Sequence, residues 1–522
     1  MNLTGGHLID GGWSQSEGKF SHHNPATGAA LTPEVSEAGE AQVQAAVESA
    51  RVAFDATRHL EMRWPARLLD AIAGQILKLG DTLIERANQE TALPTARLLG
   101  ERARTVNQLK MFADLIREGA WLDARIDTAD PNRQPIPKPD LRRIRVPRGP
   151  VAVFGASNFP FAFSAVGGDT ASALAAGCPV IVKGHPSHPG ASELFAIAVL
   201  AALAETDLPR GLFQLLQGRS HELGKSLVQN AGITAVGFTG SKKAGRALFD
   251  LAAARRNPIP VYAEMGSLNP LLLLPAALSE RGAAIAKDLA ASILLGGGQQ
   301  CTKPGLILVF RPCDDFLGAL TSYLKQSPPL TMLNQSLRDG FSARTAAWAK
   351  RAGVTVLLRG ESSGYASVSP SLLRTSAEEF VNQEGLREEA FGPAALVLDC
   401  ADVSDARRVL ASVGGSLTGT IHAGSTDDVR PLLAELEHIA GRIIFNGYPT
   451  GVEVCGAMMH GGPYPATTDP SWTSVGPTAI TRFLRLVSYQ NAPDEMLPLA
   501  LRKSHPMGIV RTINGQRTTE SP

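Results

Sequence analysis

The chain has 522 residues, 44% hydrophobic and 19% charged, with a formal net charge of +1. That length sets a prior of about three domains, and the composition is that of a globular protein with a large core. The near-neutral balance excludes a global field favouring nucleic acid or an anionic membrane, so any anionic substrate must be recognised locally.

The longest apolar run, residues 194–204, is too short to span a bilayer and is stopped by Glu205. Gly5, Gly6, His7 and Asp10 stand where a signal peptide would need an apolar stretch. The cysteines at 178, 301, 313, 400 and 455 form no CxxC pair. Their odd number predicts free thiols in a reducing compartment, the cytoplasm. No metal is expected.

In chain order, residues 85–121 are largely helical in character apart from Pro94. Residues 127–150, rich in Pro, Arg and Asp, predict an extended connector or protruding arm, because proline breaks helical pairing. Beyond the arm, short apolar strands are predicted at 151–154, 179–183, 212–216 and 235–238. Helices over 171–176, 192–204 and 242–254 separate them. This alternation predicts a parallel, doubly wound sheet, which binds ligands beyond the carboxyl ends of its strands. A second alternating region begins near Val261 and continues past 306–309, predicting another large lobe. The polar segment after Arg517 is expected to be loose.

Four constellations offer chemistry. Gly296-Gly-Gly-Gln-Gln-Cys301-Thr places a thiol beside glycines that permit close backbone approach. Cys301 is either an activated nucleophile or a buried structural cysteine. Val261-Tyr-Ala-Glu264-Met-Gly ends a strand on a carboxylate. Glu264 is either a general base for water or a solvated strand-end residue. Gly155-Ala-Ser-Asn158-Phe-Pro follows a strand at a turn. The Asn158 amide can donate to a developing oxyanion or merely stabilise the turn. Phe238-Thr-Gly240-Ser241-Lys-Lys-Ala-Gly245 is a strand-to-helix junction suited to a pyrophosphate, or a packing pair of glycines. It lacks the three-glycine dinucleotide fingerprint and a GK[ST] ending.

In this order and company, Asn158-Phe-Pro, Lys183, Phe238-Thr-Gly-Ser, Glu264, Gly298-Gln-Gln-Cys301 and Glu389-Ala-Phe391-Gly-Pro393 resemble the aldehyde dehydrogenase superfamily. The resemblance runs from Asn24 to Tyr489, nearly the whole chain. It implies an α/β fold with a doubly wound dinucleotide-binding domain (1–126 and 147–264) and an α/β catalytic domain (265–480). It also implies a small β oligomerisation arm (127–146 and 481–505), leaving 506–522 as a tail. Homodimers or homotetramers would follow. In the implied reaction Cys301 attacks an aldehyde, Asn158 and the Cys301 N–H hold the oxyanion, and hydride passes to a nicotinamide. Water activated by Glu264 then hydrolyses the thioester. Lys183 resembles the lysine that holds the adenosine ribose, Glu389 the carboxylate that orients the nicotinamide ribose, and Phe391 the ring packed nearby. Gly240 and Ser241 would lie by the pyrophosphate.

Two departures refine the expectation. Members that prefer NAD usually carry a glutamate three residues after the lysine, whereas here Lys183-Gly-His185-Pro186 places proline there. A carboxylate would repel a 2′-phosphate and proline does not. NADP is therefore expected to be admitted, even preferred over NAD, with His185, Ser187 and Arg219 as candidate phosphate contacts. Secondly, the run from Asn446 through Val-Cys455-Gly-Ala-Met-Met-His460-Gly-Gly-Pro463 replaces the commoner proline-phenylalanine-glycine-glycine pattern. It resembles the branch of 2-oxoglutarate semialdehyde (2,5-dioxopentanoate) dehydrogenases, whose relatives also act on long-chain fatty aldehydes. Met111, Phe159, Phe161 and Phe163 are either pocket lining or plain core, and Arg104 is either a cation for a substrate carboxylate or part of a solvated helix face. Transfer of the acyl group to coenzyme A is the competing activity, and Glu264 argues against it. A non-catalytic protein of the same fold is the competing non-enzyme reading.

Overall fold

The structure is a computed structural model that describes residues 2–505 and 507–520. The strands Val151–Phe154 and Phe213–Leu216 are buried along their whole length, and Val180–Lys183 as far as its last residue. Such runs suit a parallel sheet covered on both faces. They pair in parallel with one another and with Ala235–Thr239, which in turn pairs with Val261–Glu264. The spatial order is 261–264, 235–239, 151–154, 180–183, 213–216. An antiparallel hairpin, His7–Ile9 with Gly12–Ser14, extends the sheet at the far edge. The strands of that hairpin are three residues each, too short to carry a periodicity in the sequence.

The predicted helices between these strands, Gly168–Ala175, Pro189–Glu205 and Lys242–Ala253, differ from the predicted ranges by no more than three residues at either end, and a further, unpredicted helix is His221–Gln229. Pro94 acts as expected. The helix Gly80–Thr91 ends before it in a left-handed Ala92, and Thr95–Glu118 starts after it. A second seven-stranded sheet contains Pro270–Leu273, Leu306–Phe310, Ala394–Cys400 and Ser416–His422 at its centre, all parallel. Its edge strand Thr355–Leu358 is antiparallel.

The 127–150 segment is extended as predicted: Arg125–Asp127 and Leu141–Pro147 are strands, and the latter pairs along seven residues with Leu484–Gln490. The C-terminal segment corrects an expectation. Residues Arg511–Ile513 and Gln516–Thr518 form a hairpin added to this sheet through Arg125 and Ile126, so pairing runs one residue past Arg517, to Thr518. A buried Arg511, donating from Nη1 to the Arg502 carbonyl at 2.7 Å, anchors it. Pro506, Ser521 and Pro522 lie outside the described residues. Among the described residues no helix is long and apolar enough to cross a membrane.

One buried carboxylate ties the N-terminal layers together. Glu90 accepts Gly190 N–H at 2.7 Å, Ala191 N–H at 2.9 Å and Arg86 Nε at 2.9 Å, and lies 3.2 Å from His22 Nε2. Burial pushes its pKa up, but the His22 bond, the Arg86 charge and the Ala191 N–H together hold it below the ordinary 4.5. A depressed carboxylate contributes stability that is complete above its unfolded pKa and is lost as pH falls through the folded one. Glu90→Gln should therefore destabilise the fold by about 3–5 kcal/mol at neutral pH. It should also flatten the acid limb of stability against pH, measured by urea unfolding.

Candidate active site

The carboxyl ends of the first sheet bring Phe154, Lys183, Leu216, Thr239 and Glu264 to one edge. Across from that edge, the helix Pro275–Leu294 ends in the turn Leu295–Gly298, and Cys301 follows directly. Gly298 has φ +68°, and a Cβ there would lie 2.3 Å from the Gly392 carbonyl carbon. Only glycine lets the Cys301 loop sit on the 389–393 loop. Asn269 clamps the same loop from beneath. Its Nδ2 donates to the Cys301 carbonyl at 2.8 Å and the Lys303 carbonyl at 2.9 Å. Its Oδ1 accepts from Thr418 Oγ1 at 2.9 Å.

Cys301 is partly exposed, and its Sγ lies 3.6 Å from Nε2 of the buried His460. The same Nε2 lies 3.1 Å from Glu264 Oε1, and Ser474 Oγ donates to Glu264 Oε2 at 2.7 Å. Burial pushes the Glu264 carboxyl up, but His460, Ser474 and Cys301 outweigh it and hold the group below the usual carboxylate range. Glu264 is thus ionised at neutral pH and accepts only, which assigns the proton of His460 to Nε2. The Cys301 thiol is pushed well above its ordinary value, first by burial and then by the Glu264 charge, with Arg104 opposing. Without a base it stays protonated at neutral pH.

Asn158 is brought to the same loop: its Nδ2 donates to the Gln299 carbonyl at 2.9 Å, two residues before Cys301. Its own carbonyl accepts from Arg97 Nη2 at 2.6 Å. The helix Thr95–Glu118 presents Arg97, Glu101 and Arg104 to this region. Glu101 Oε1 accepts Phe161 N–H at 2.8 Å and Ala162 N–H at 3.0 Å, fixing the turn that carries Asn158. Arg97 lies over the Phe159 ring and Arg104 over the Phe163 ring, at 5.1 and 5.4 Å from the centroids. A cavity of about 210 Å³ opens between Arg97, Arg104, Phe159, Phe163, Cys301, Thr302 and His460. Arg104 Nε and Nη2 are buried there with no hydrogen-bond partner among the described residues. Two of the four candidate lining residues do not reach the cavity. Phe161 packs edge-on against Phe195 in the core, and Met111 packs on the same core cluster.

The remaining predicted residues sit along the strand ends. Lys183 forms no side-chain hydrogen bond among the described residues, and burial lowers its pKa to about 8 while Glu37 opposes. An amine so placed fits a hydroxyl-bearing ligand. The Arg219 and Ser220 N–H groups, next to Lys183's partner strand, are taken by Glu37 at 3.0 and 2.9 Å. Glu37 is a carboxylate that sequence reading had passed over. The Arg219 guanidinium is 5.7 Å from the Phe20 centroid. His185 stacks on His188, and burial, His188 and Lys183 push it far below its ordinary value. It is neutral and brings no positive charge to a phosphate. Pro186 is half-buried beside it. Gly240 donates its N–H to the Glu264 carbonyl at 3.0 Å, so that donor is spent within the fold. Ser241 caps the Lys242–Ala253 helix, accepting from Ala244 N–H at 3.3 Å. Glu389 and Phe391 are half-buried on the loop against the Cys301 turn. Burial raises Glu389 to about 7 against the pull of Lys303.

Residues 13–464 match the profile of the aldehyde dehydrogenase family. The chain is 48% identical over 523 residues to the Azospirillum brasilense protein named alpha-ketoglutaric semialdehyde dehydrogenase 2, covering 99% of this chain and 100% of that one. It is 44% identical to the alpha-ketoglutaric semialdehyde dehydrogenase of Acinetobacter baylyi, covering 91% of each. Among solved structures, an aldehyde dehydrogenase from Pseudomonas aeruginosa superposes with a TM-score of 0.79 at 22% identity, covering 94% of this chain and 97% of the other. The chain belongs to the aldehyde dehydrogenase family. It is an NAD(P)-dependent enzyme that oxidises an aldehyde to the acid.

His460, Ser474 and Asn269 had not been singled out as site residues. A histidine standing among glycines where an aromatic is usual was the one signal in the sequence for His460; Ser474 and Asn269 gave none. Asn269→Ala would strand two buried carbonyls, each worth about 1–3 kcal/mol. A lower unfolding midpoint together with at least a tenfold loss of kcat is expected. Unchanged kcat would mean that the Cys301 turn keeps its shape without the clamp.

Proposed function

We propose that the enzyme oxidises 2-oxoglutarate semialdehyde to 2-oxoglutarate through a thioester on Cys301. The observation that carries the substrate is Arg104, which lines the small cavity that also holds Cys301 and whose Nε and Nη2 have no hydrogen-bond partner among the described residues. A carboxylate at the far end of the substrate satisfies it, whereas an uncharged aldehyde leaves it unpaired. The names of the two curated relatives point to the same substrate. The cavity of about 210 Å³ falls below the ~300–1,000 Å³ of pockets for larger ligands, which favours a short chain over a fatty aldehyde.

In this reading the thiol proton passes to water in the cavity as the aldehyde binds, and His460 Nε2–H turns its donor towards the thiolate. Cys301 then attacks the aldehyde carbon. The free N–H of Asn158 Nδ2 and the Cys301 backbone N–H hold the oxyanion. Lys183 would hold the adenosine ribose of a bound dinucleotide and Glu389 and Phe391 its nicotinamide ribose, the Gly240–Ser241 turn would lie by its pyrophosphate, and the group would supply the hydride acceptor. Glu264, ionised, activates water for hydrolysis of the thioester, which favours the acid over an acyl transfer to coenzyme A.

NADP is accepted, and preferred over NAD, because Pro186 brings no charge to the 2′-position. Arg219 is the remaining cationic candidate there, since His185 is neutral. Residues 1–126 and 147–264 act as the dinucleotide domain and 265–480 as the catalytic domain. The arm sheet, 127–146 and 481–505 with the C-terminal hairpin, joins subunits into a homodimer or homotetramer in the cytoplasm.

Three outcomes are expected. Arg104→Gln should raise KM for the semialdehyde about 10- to 100-fold, the loss of a charged hydrogen bond. It should have little effect on an uncharged aldehyde of equal length; equal effects on both would remove Arg104 from carboxylate recognition. Glu264→Gln should give a burst of reduced cofactor and then almost no steady turnover, read by rapid mixing. Pro186→Glu should weaken NADP more than NAD in steady-state kinetics, and equal loss for the two would contradict the 2′-phosphate reading.

A further inference from the structure

We infer that Cys301, His460 and Glu264 form a three-ligand site for a thiophilic divalent cation of the Zn2+ type, and that such a cation inhibits the enzyme reversibly. The inference rests on the catalytic roles proposed for Cys301 and Glu264, but the metal site itself stands on geometry.

The Cys301 Sγ, the His460 nitrogen and a Glu264 oxygen all lie within 4.8 Å of one another. Tetrahedral zinc, with bonds of about 2.3 Å to sulfur and about 2.0–2.1 Å to nitrogen, sets its S and N donors about 3.6 Å apart. The observed separation of Sγ and Nε2 is 3.6 Å. Nitrogen and oxygen donors on the same ion stand about 3.4 Å apart. Nε2 and Glu264 Oε1 are 3.1 Å apart, so a few tenths of an ångström of widening suffices. Outer contacts hold two of the ligands. Ser474 Oγ occupies Glu264 Oε2 and leaves Oε1 to the ion, and Thr473 Oγ1 accepts the His460 backbone N–H at 2.9 Å. Such contacts are what make ligand sets tight. The fourth position opens on the cavity, where water completes the tetrahedron.

On binding, a metal–sulfur bond forms, the Cys301 S–H bond breaks and its proton leaves to solvent. The His460 proton moves from Nε2 to Nδ1, and nothing is oxidised or reduced. A thiolate and a carboxylate then neutralise the 2+ charge. Arg104 and Arg442 act on the same thiol and oppose the cation, while Glu389 favours it. Nucleophile and general base are both occupied, so turnover stops until the metal is chelated. A protein with an aromatic residue in place of His460 would offer the metal only the thiol and the carboxylate.

The probes are Co2+ and Zn2+ added to the full-length reduced protein. Co2+ should bind once per chain at this site and give thiolate charge-transfer absorption with intense tetrahedral d–d bands, abolished by Zn2+ and by Cys301→Ser. Cys455→Ser, which removes the exposed cysteine, should leave the spectrum intact. His460→Gln should weaken Co2+ and Zn2+ at least tenfold. Ser474→Ala, a milder change, should weaken them about 10- to 100-fold as outer contacts do. Zn2+ should inhibit the wild type, and a chelator should restore activity. A Co2+ spectrum without the thiolate band, or one that survives both His460→Gln and Ser474→Ala unchanged, overturns the site. The optical titration needs no turnover, so failure of the enzyme on the semialdehyde would sink the proposed substrate and leave this result standing.

Discussion

An ionised carboxylate buried 3.1 Å from an imidazole, which is itself 3.6 Å from a thiol, is the contact on which the rest of the site depends. Its members come from three places: the last residue of a strand in the first sheet, a turn between two strands of the second sheet, and a segment that follows the second sheet. Burying a charge is costly unless it is paired and hydrogen-bonded. Here Ser474 and His460 fill both carboxylate oxygens, and a backbone bond from Met265 N–H to the Ala466 carbonyl, 2.7 Å, fastens the C-terminal segment to the same strand end. The two lobes are therefore joined at the point where chemistry occurs.

The substrate side hangs on a second buried carboxylate. Glu101 stands between Arg97 and Arg104 on one helix and holds the turn of Asn158 through two backbone N–H groups. Burial pushes its pKa up, and the N–H groups and both guanidinium groups pull the other way. One helix thus supports Asn158 through Arg97 and Glu101 and brings Arg104 to the cavity. In the proposed mechanism, substrate recognition and placement of the oxyanion donor would share that single rigid element, which would keep the reacting geometry tight.

Much of this was legible in the sequence, for identifiable reasons. Buried parallel strands are continuous apolar runs, so 151–154 and 235–238 could be read almost to the residue. Pro94 and Gly177 punctuate their helices because of backbone chemistry that is local. Cys301, Glu264 and Asn158 were found because each sits at a strand end or a glycine turn. The partners were not found for the opposite reason. His460 meets Glu264 across 196 residues of chain, and Glu37 reaches Arg219 across 182; nothing in either neighbourhood encodes the contact. Phe161 took the core alternative. The Phe163 N–H bond to the Phe159 carbonyl, 3.3 Å, winds that turn so that 159 and 163 share a side and 161 faces the other way. The C-terminal hairpin escaped notice because its strands, three residues each, draw their stability from Arg125 and Ile126 far upstream.

The central claim is that a short, carboxylate-bearing aldehyde becomes a thioester on Cys301 and leaves as the acid. Acid quenching of the Glu264→Gln protein, milliseconds after mixing with 2-oxoglutarate semialdehyde and NADP, tests it most directly. Peptide mass mapping should show one acyl group on the peptide containing Cys301, in amounts equal to the reduced cofactor formed. Reduced cofactor without an adduct on that peptide, or an adduct on another cysteine, would contradict the account.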